Sequence, residues 1–129
     1  MVIKQGDVYW VDLGGPSASG RTAMHPYVIV QNNLFNKSRI NSVVVCELTS
    51  NLKRAAAPGN VLLKQGEGNL PKRSAVNVSR VHTVLKEDLV EKIGSLSIAR
   101  LSQVLAGIDL VLKPREVDST KTTVPGNQI

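Results

Sequence analysis

Short runs of hydrophobic residues, broken by glycine, proline and small polar residues, fill the first two thirds of the chain. Runs of this length that are rich in valine, isoleucine and aromatic residues predict β-strands. The consecutive valines within residues 42–49 predict a strand buried on both faces, which we expect at the centre of a sheet. The other predicted strands are residues 6–13, 26–31, 60–64, 74–78 and 81–84. Several short strands at this spacing favour a β-sandwich or a small barrel.

The hydrophobic period changes near the C-terminus, from two residues to the spacing of an α-helix. Ser97 is a suitable N-cap for this helix, and Pro114 ends it. A helical face this apolar requires a partner surface, supplied by the β-structure or by a second subunit. The apolar side chains on that face are Ile98, Leu101, Leu105, Ile108 and Leu112.

Length and composition favour one folded domain. The chain has 129 residues, of which 42% are hydrophobic and 20% charged, values that are ordinary for a single globular domain. We expect that domain to cover residues 1–113. Residues 114–129 are polar and without periodicity, so we expect a disordered tail.

The single cysteine, Cys46, cannot form an internal disulfide, which favours a reducing compartment. No apolar run reaches the roughly 18 residues of a membrane span, and residues 1–6 lack the pattern of a signal peptide. We therefore expect a cytoplasmic protein with no membrane partner.

The positive charge is concentrated in the middle of the chain. The formal net charge is +6, and residues 1–30 and 81–129 each carry equal numbers of bases and acids. Residues 31–80 hold the whole excess, because eight bases there face only Glu47 and Glu67. This asymmetry favours a polyanionic partner such as RNA, although a basic face that only aids solubility would have the same composition. The eight bases are Lys37, Arg39, Lys53, Arg54, Lys64, Lys72, Arg73 and Arg80.

Polar residues cluster where the predicted strands begin or end. They are His25 before the second strand, Thr49 and Ser50 at the end of the third, and Arg80 and His82 after the fifth. In a small barrel these chain ends can converge. Histidine, arginine and threonine can supply the proton transfer and charge stabilisation that metal-free cleavage of an RNA phosphodiester requires. The same residue types also serve structure alone, as loop caps, turn formers or the solvent side of a strand.

Metal and cofactor chemistry have little support in the sequence. The one cysteine and the two histidines lie far apart along the chain and lack the spacing of metal ligands. The segment 14–16 is not followed by the lysine and helix of a phosphate-binding loop. We therefore predict no metal and no cofactor.

Five segments share an order and a spacing that are specific in combination, namely Gly6–Leu13, Pro26–Asn32, Leu48–Ser50, Leu70–Ser74 and Glu91–Leu96. Together they resemble the MazF/PemK family of toxin–antitoxin ribonucleases, and the similarity extends to about Leu112. The resemblance implies a mainly β fold, an SH3-like small β-barrel with short helices and a C-terminal α-helix. It also implies a homodimer.

The same resemblance implies the toxin of a type II toxin–antitoxin system. Its activity would be that of a metal-independent, sequence-specific endoribonuclease that cleaves single-stranded RNA by attack of the 2′-hydroxyl. A cognate acidic antitoxin would block the RNA groove. Three alternatives remain open, namely a gyrase-inhibiting toxin of the related CcdB branch, a catalytically weakened relative that only binds RNA or antitoxin, and a non-catalytic SH3-like binding module.

The resemblance gives Thr49 the role of the family's catalytic threonine. The family usually has an arginine directly before the proline of the second strand, and here His25 stands at that position. We hypothesise that His25 is the general acid or base and that Arg80 or Arg21 stabilises the phosphorane. Cleavage would then depend on pH in the range where histidine titrates.

The remaining bases and polar residues near these positions are predicted to bind RNA. Lys37 and Arg39, which follow the second strand, are expected only to be solvated. The predicted RNA-binding residues are Arg21, Ser50, Lys53, Arg54, Lys72, Arg73 and His82.

Overall fold

The computed structural model describes residues 2–16 and 22–115, which form a mainly β fold with a C-terminal helix. The strands are β1 (Asp7–Pro16), β2 (Thr22–Ile29), β3 (Ser42–Thr49), β4 (Val61–Leu63), β5 (Ser74–Leu85) and β6 (Leu89–Ser95). The helices are α1 (Asn33–Asn36) and α2 (Ile98–Leu112), with short 3₁₀ helices at Leu52–Ala56, Glu67–Asn69 and Lys86–Asp88.

The strands form one antiparallel sheet in the order β4-β5-β3-β2-β1-β6. The sheet is curled, so that the 3₁₀ helix Glu67–Asn69, which lies between β4 and β5, contacts β6 at the opposite edge. The side-chain amide of Asn69 donates to the carbonyl of Ile93 at 2.9 Å. A side chain at Gly94 would collide with the carbonyl of Gly68, whose φ of 62° also favours glycine. The half-barrel that results confirms the predicted fold class.

Both faces of the central strand are buried, as the valine run predicts. On one face, Cys46 and Leu48 of β3 pack in the core that α2 covers through Val104. The opposite face carries a second cluster, which includes Val45 of β3 and Tyr27 of β2. Because neighbouring residues of a strand point to opposite faces, β3 serves both clusters at once.

Helix α2 begins and ends where the sequence predicts. Ser97 is its N-cap, and the Ser97 side chain accepts a hydrogen bond from the backbone N–H of Arg100 at 3.2 Å. Gly107 allows the helix to approach the backbone of Gly59 closely, since a Cβ there would collide with the Gly59 carbonyl. Within the two described ranges, no helix combines the length and hydrophobicity that a membrane crossing requires.

The structure differs from the sequence prediction in three elements. The segments 74–78 and 81–84 are one strand, because a bulge rather than a turn lies between them. The first two strands extend beyond their predicted bounds of 6–13 and 26–31, since β1 and β2 pair as far as Pro16 and Thr22. Strand β6 was not predicted, because two register shifts in its pairing with β1 disturb the alternation of hydrophobic residues.

The predicted domain boundary at residue 113 stays a prediction. Of the predicted disordered tail, only Pro114 and Arg115 belong to the described residues, and residues 116–129 lie outside them.

Candidate active site

A cavity of about 250 Å³ opens beside the middle of β2, where β3 ends. Four of the sequence-predicted site residues line it, namely His25, Thr49, Ser50 and Lys72. The rest of its wall consists of Trp10, Pro26, Leu48, Leu70, Pro71 and Ser74. The cavity wall therefore combines a histidine, hydroxyl side chains and a lysine with apolar side chains.

The imidazole of His25 is held by a backbone carbonyl. Its Nε2 lies 2.7 Å from the carbonyl oxygen of Leu48. The hydrogen-bonded pairing between β2 and β3 ends at Tyr27 and Glu47. Pro26, which precedes Tyr27 on β2, has no N–H to donate. Because a carbonyl oxygen only accepts, Nε2 carries the proton and Nδ1 is left to gain or lose one. His25 is thus oriented as a general acid or base requires.

Thr49 ends β3 and starts the following turn. Its hydroxyl accepts a hydrogen bond from the backbone N–H of Asn51 at 3.1 Å, and the Asn51 side chain accepts from the backbone N–H of Lys53 at 3.2 Å. These bonds lead into the 3₁₀ helix that presents Lys53 and Arg54 to solvent. Thr49 therefore forms a turn, as its position suggested, and also lines the cavity.

Arg80 lies in a wide bulge of β5. Cys46 of β3 pairs with Val81, whereas the next residue, Glu47, pairs with Asn77, so the three residues from 78 to 80 lack partners on β3. Such bulges redirect side chains beside functional sites. Here the bulge leaves Arg80 exposed.

Side chains replace the ladder hydrogen bonds in the bulge. The side-chain oxygen of Asn60 accepts from the backbone N–H of Val78 at 2.9 Å, and that of Asn77 accepts from the Ser79 hydroxyl at 3.1 Å. The thiol of Cys46 donates to the carbonyl of Asn77 at 3.1 Å. Burial raises the pKa of Cys46 to about 12, so the thiol keeps the proton that it donates.

Tyr27 links the two histidines. Its ring contacts that of His25 with centroids 5.4 Å apart and that of His82 with centroids 5.7 Å apart, both edge to face. Burial, and then the charge of Glu47, raise the pKa of Tyr27, while the charge of Arg80 opposes that rise. The charge of Arg80 on β5 thus acts on the hydroxyl of Tyr27.

The remaining predicted residues lie apart from the cavity. Arg73 directly follows Lys72 and is exposed, and neither Lys53 nor Arg54 lines the cavity. Arg21 lies outside the described residues. The structure brings His25, Thr49, Ser50 and Lys72 together and connects Arg80 and His82 to them through Tyr27.

The sequence prediction missed Trp10, Tyr27 and Glu47. The alternation of a strand could have shown two of them, because Tyr27 lies two residues after His25 and Glu47 two residues before Thr49. Each therefore shares a sheet face with a predicted residue. Among the residues that the structure describes, no group of three His, Cys, Asp or Glu side chains could hold a metal ion.

Two curated relatives align with nearly the whole chain. Endoribonuclease MazF6 of Mycobacterium tuberculosis is 38% identical over 112 residues, which cover 87% of this chain and 98% of the relative. Endoribonuclease MazF of Staphylococcus saprophyticus is 30% identical over 120 residues, which cover 93% of this chain and 99% of the relative.

Solved structures share the fold. An endoribonuclease in complex with its cognate antitoxin, from a mycobacterial species, matches with a TM-score of 0.66 at 23% identity, covering 86% of this chain and 93% of that chain. An endoribonuclease from mycobacterial species matches with a TM-score of 0.70 at 23% identity, covering 91% of this chain and 97% of that chain. The half-barrel with its C-terminal helix is thus shared with these proteins.

The family profile described as PemK-like, MazF-like toxin of type II toxin–antitoxin system matches residues 4–112. That range contains the cavity, the bulge and helix α2. The resemblance carried by the five sequence segments is confirmed, and the chain belongs to the PemK-like, MazF-like family of type II toxin–antitoxin toxins.

Proposed function

We propose that this protein is a toxin that acts as a metal-independent, sequence-specific endoribonuclease on single-stranded RNA. The observation that carries the proposal is the placement of His25 and Thr49 in one cavity, inside a chain whose relatives are named endoribonucleases. A positioned imidazole beside a hydroxyl and a lysine suits cleavage of a phosphodiester.

The proposed reaction uses the 2′-hydroxyl of the RNA as nucleophile. One proton leaves that hydroxyl, its oxygen bonds to phosphorus, the bond from phosphorus to the 5′-oxygen breaks, and the 5′-oxygen takes up a proton. The products are a 2′,3′-cyclic phosphate and a 5′-hydroxyl. His25 carries out proton transfer through Nδ1, Thr49 hydrogen-bonds a phosphoryl oxygen, and Arg80 stabilises the negative charge of the phosphorane. Arg21 is the alternative guanidinium.

The excess of bases supports RNA as the partner. Lys72 lines the cavity. Arg73, which follows Lys72, and Lys53 and Arg54, which follow the cavity residues Thr49 and Ser50, are exposed. Together with Ser50, His82 and Arg21, these bases would bind successive phosphates of a single RNA strand. Such binding depends on charge more than on base identity. The cleavage would take place in the cytoplasm.

Two protein partners complete the proposal. The first is a second copy of the chain in a homodimer. The second is a cognate acidic antitoxin, which would cover the same basic surface and so exclude RNA. A solved relative is in complex with its cognate antitoxin.

A single assay tests the activity. Purified protein is incubated with a long single-stranded RNA in excess EDTA, and the fragments are sequenced at both ends. We expect discrete fragments with 2′,3′-cyclic phosphate and 5′-hydroxyl ends, and no cut where a 2′-deoxy nucleotide replaces the cleaved position. Intact RNA would instead support a gyrase-inhibiting toxin, or a protein that only binds RNA or antitoxin.

Two variants connect that assay to the site. Replacement of Thr49 or His25 by alanine should slow the cut by about 10²-fold or more, the scale of losing a positioned catalytic group. Arg39→Ala is the matched control, because Arg39 is an exposed base distant along the chain from the cavity residues. Equal rates for all variants and the parent would reject the assignment of the site.

A further inference from the structure

Both histidines of the chain contact the same tyrosine ring. The chain has two histidines, and the rings of His25 and His82 each meet Tyr27 edge to face at 5.4 and 5.7 Å. His25 lies two residues before Tyr27 on β2, whereas His82 comes from β5, on the far side of β3. The contact with His82 is therefore made only in the folded sheet.

Tyr27 is itself fixed in place. Its side chain is buried, with 3% of the residue exposed, in the cluster that contains Val45 and Ile29. His25 is partly buried, and His82 is exposed. A fixed ring in contact with two more accessible imidazoles can set their orientations without itself engaging their ring nitrogens.

We propose that Tyr27 is a positioning residue that holds His25 and His82 as the proton-transfer pair of RNA cleavage. This inference rests on the proposed nuclease function and deepens it, because it assigns the second proton transfer to His82, which the sequence placed only among the RNA-binding residues.

The two histidines have different partners, which separates their roles. The hydrogen bond from His25 Nε2 to the Leu48 carbonyl leaves the Nδ1 lone pair free to take up a proton. His25 is therefore the base that removes the proton of the 2′-hydroxyl. His82, as imidazolium, gives its proton to the 5′-oxygen as the bond from phosphorus to that oxygen breaks. One proton is taken and one is given, so the step balances.

Charged and titratable groups also lie near Tyr27 and at the cavity. They are Glu47 and Cys46 on β3 and Arg80 on β5, whose charges act on the pKa of Tyr27, and Lys72, which lines the cavity with His25.

The first test compares two buried tyrosines. Tyr9 pairs with Tyr27 across β1 and β2 and lies in the same cluster, so Tyr9→Leu is a matched control for the loss of a buried ring. We expect Tyr27→Leu to lower kcat by about 10- to 100-fold, the scale of a misplaced catalytic group, with little change in KM. Tyr27→Phe keeps the ring and should recover most of the lost kcat. Equal effects of Tyr27→Leu and Tyr9→Leu would overturn the inference.

The second test addresses His82, whose exposure makes its replacement compatible with folding. An acid and a base together give a bell-shaped pH profile of kcat/KM, and His82→Ala should remove its alkaline limb. An RNA with sulfur in place of the 5′-bridging oxygen needs no acid, since a thiolate leaves without a proton. We expect this substrate to restore cleavage by His82→Ala but not by His25→Ala.

The outcomes separate the inference from the function on which it rests. If the parent protein leaves RNA intact in EDTA, the proposed function fails, and the proton-transfer roles fail with it. If the parent cleaves RNA while His82→Ala keeps the full bell-shaped profile, the nuclease stands and His82 is only a binding residue.

Discussion

The Nε2 of His25 donates a hydrogen bond of 2.7 Å to the backbone carbonyl of Leu48. This bond joins β2 to β3 at the point where Pro26 interrupts their ladder. One side chain thus bonds the two strands together and also lines the cavity of the candidate active site. Its two roles can be separated by substitution.

His25→Gln should fold nearly as well as the parent, because the glutamine amide can donate to the Leu48 carbonyl. His25→Ala leaves that carbonyl without its partner and should lower the free energy of unfolding by about 1 kcal/mol. Both variants should lose about 10²- to 10⁴-fold in cleavage rate, since neither residue titrates. Urea unfolding and single-turnover cleavage measure the two effects. Parental cleavage by His25→Gln would show that proton transfer at this position is unnecessary.

Lys72 and Lys37 differ in location but not in charge. Lys72 lines the cavity, whereas Lys37 caps the end of α1 and is exposed. Lys72→Ala should weaken RNA binding and reduce the slope of log affinity against log salt by about 0.7, the value for one phosphate contact on a single strand. Lys37→Ala should leave the slope unchanged. A titration of labelled RNA at several salt concentrations measures both, and equal slopes would contradict the placement of the RNA.

Gly107→Ala tests the close approach of α2 to the sheet. In an open helix this change would stabilise by about 1 kcal/mol through helix propensity. Here the new Cβ would collide with the Gly59 carbonyl and lie 2.9 Å from Val78. Such overpacking costs about 1 to 3 kcal/mol, so we expect a net loss of stability in urea unfolding. The neighbouring change Ala106→Gly alters propensity without a collision, and a more stable Gly107→Ala protein would refute the contact.

Glu67 and Arg100 link the 3₁₀ helix after β4 to α2. The guanidinium of Arg100 donates to both carboxylate oxygens, at 2.8 and 3.1 Å. The hydrogen bond from Arg100, followed by that from the backbone of Lys64, lowers the pKa of Glu67. A lowered carboxyl pKa stabilises the fold above the unfolded value of about 4.3, and this contribution disappears as pH falls through the folded pKa.

The stability of the parent should therefore fall more steeply below about pH 4.3 than that of Glu67→Gln. The difference should be small, because about a quarter of each side chain is exposed and water screens the pair. Urea unfolding at a series of pH values from neutral to acid measures it. Parallel stability curves for the two proteins would show that the pair contributes nothing.

Local signals were strong enough to predict much of the fold. The valine run fixed β3 at the bounds seen in the structure, because a strand buried on both faces tolerates few polar residues. Ser97 and Pro114 likewise predicted helix α2 from capping and ring constraints alone. Strand β6 was not predicted, because it is an edge strand with irregular pairing and its sequence lacks a regular alternation of hydrophobic and polar residues.

The sequence by itself determined the family, the central strand, the C-terminal helix and the residue types available for chemistry. Through the family resemblance it also predicted that His25 stands where relatives usually have an arginine. Only the tertiary structure decided that His25 bonds to Leu48, that Arg80 lies in a bulge, and that Tyr27 joins His25 to His82. The physical reason is that these contacts cross between strands distant in the chain, and a shift of register changes every partner across a sheet.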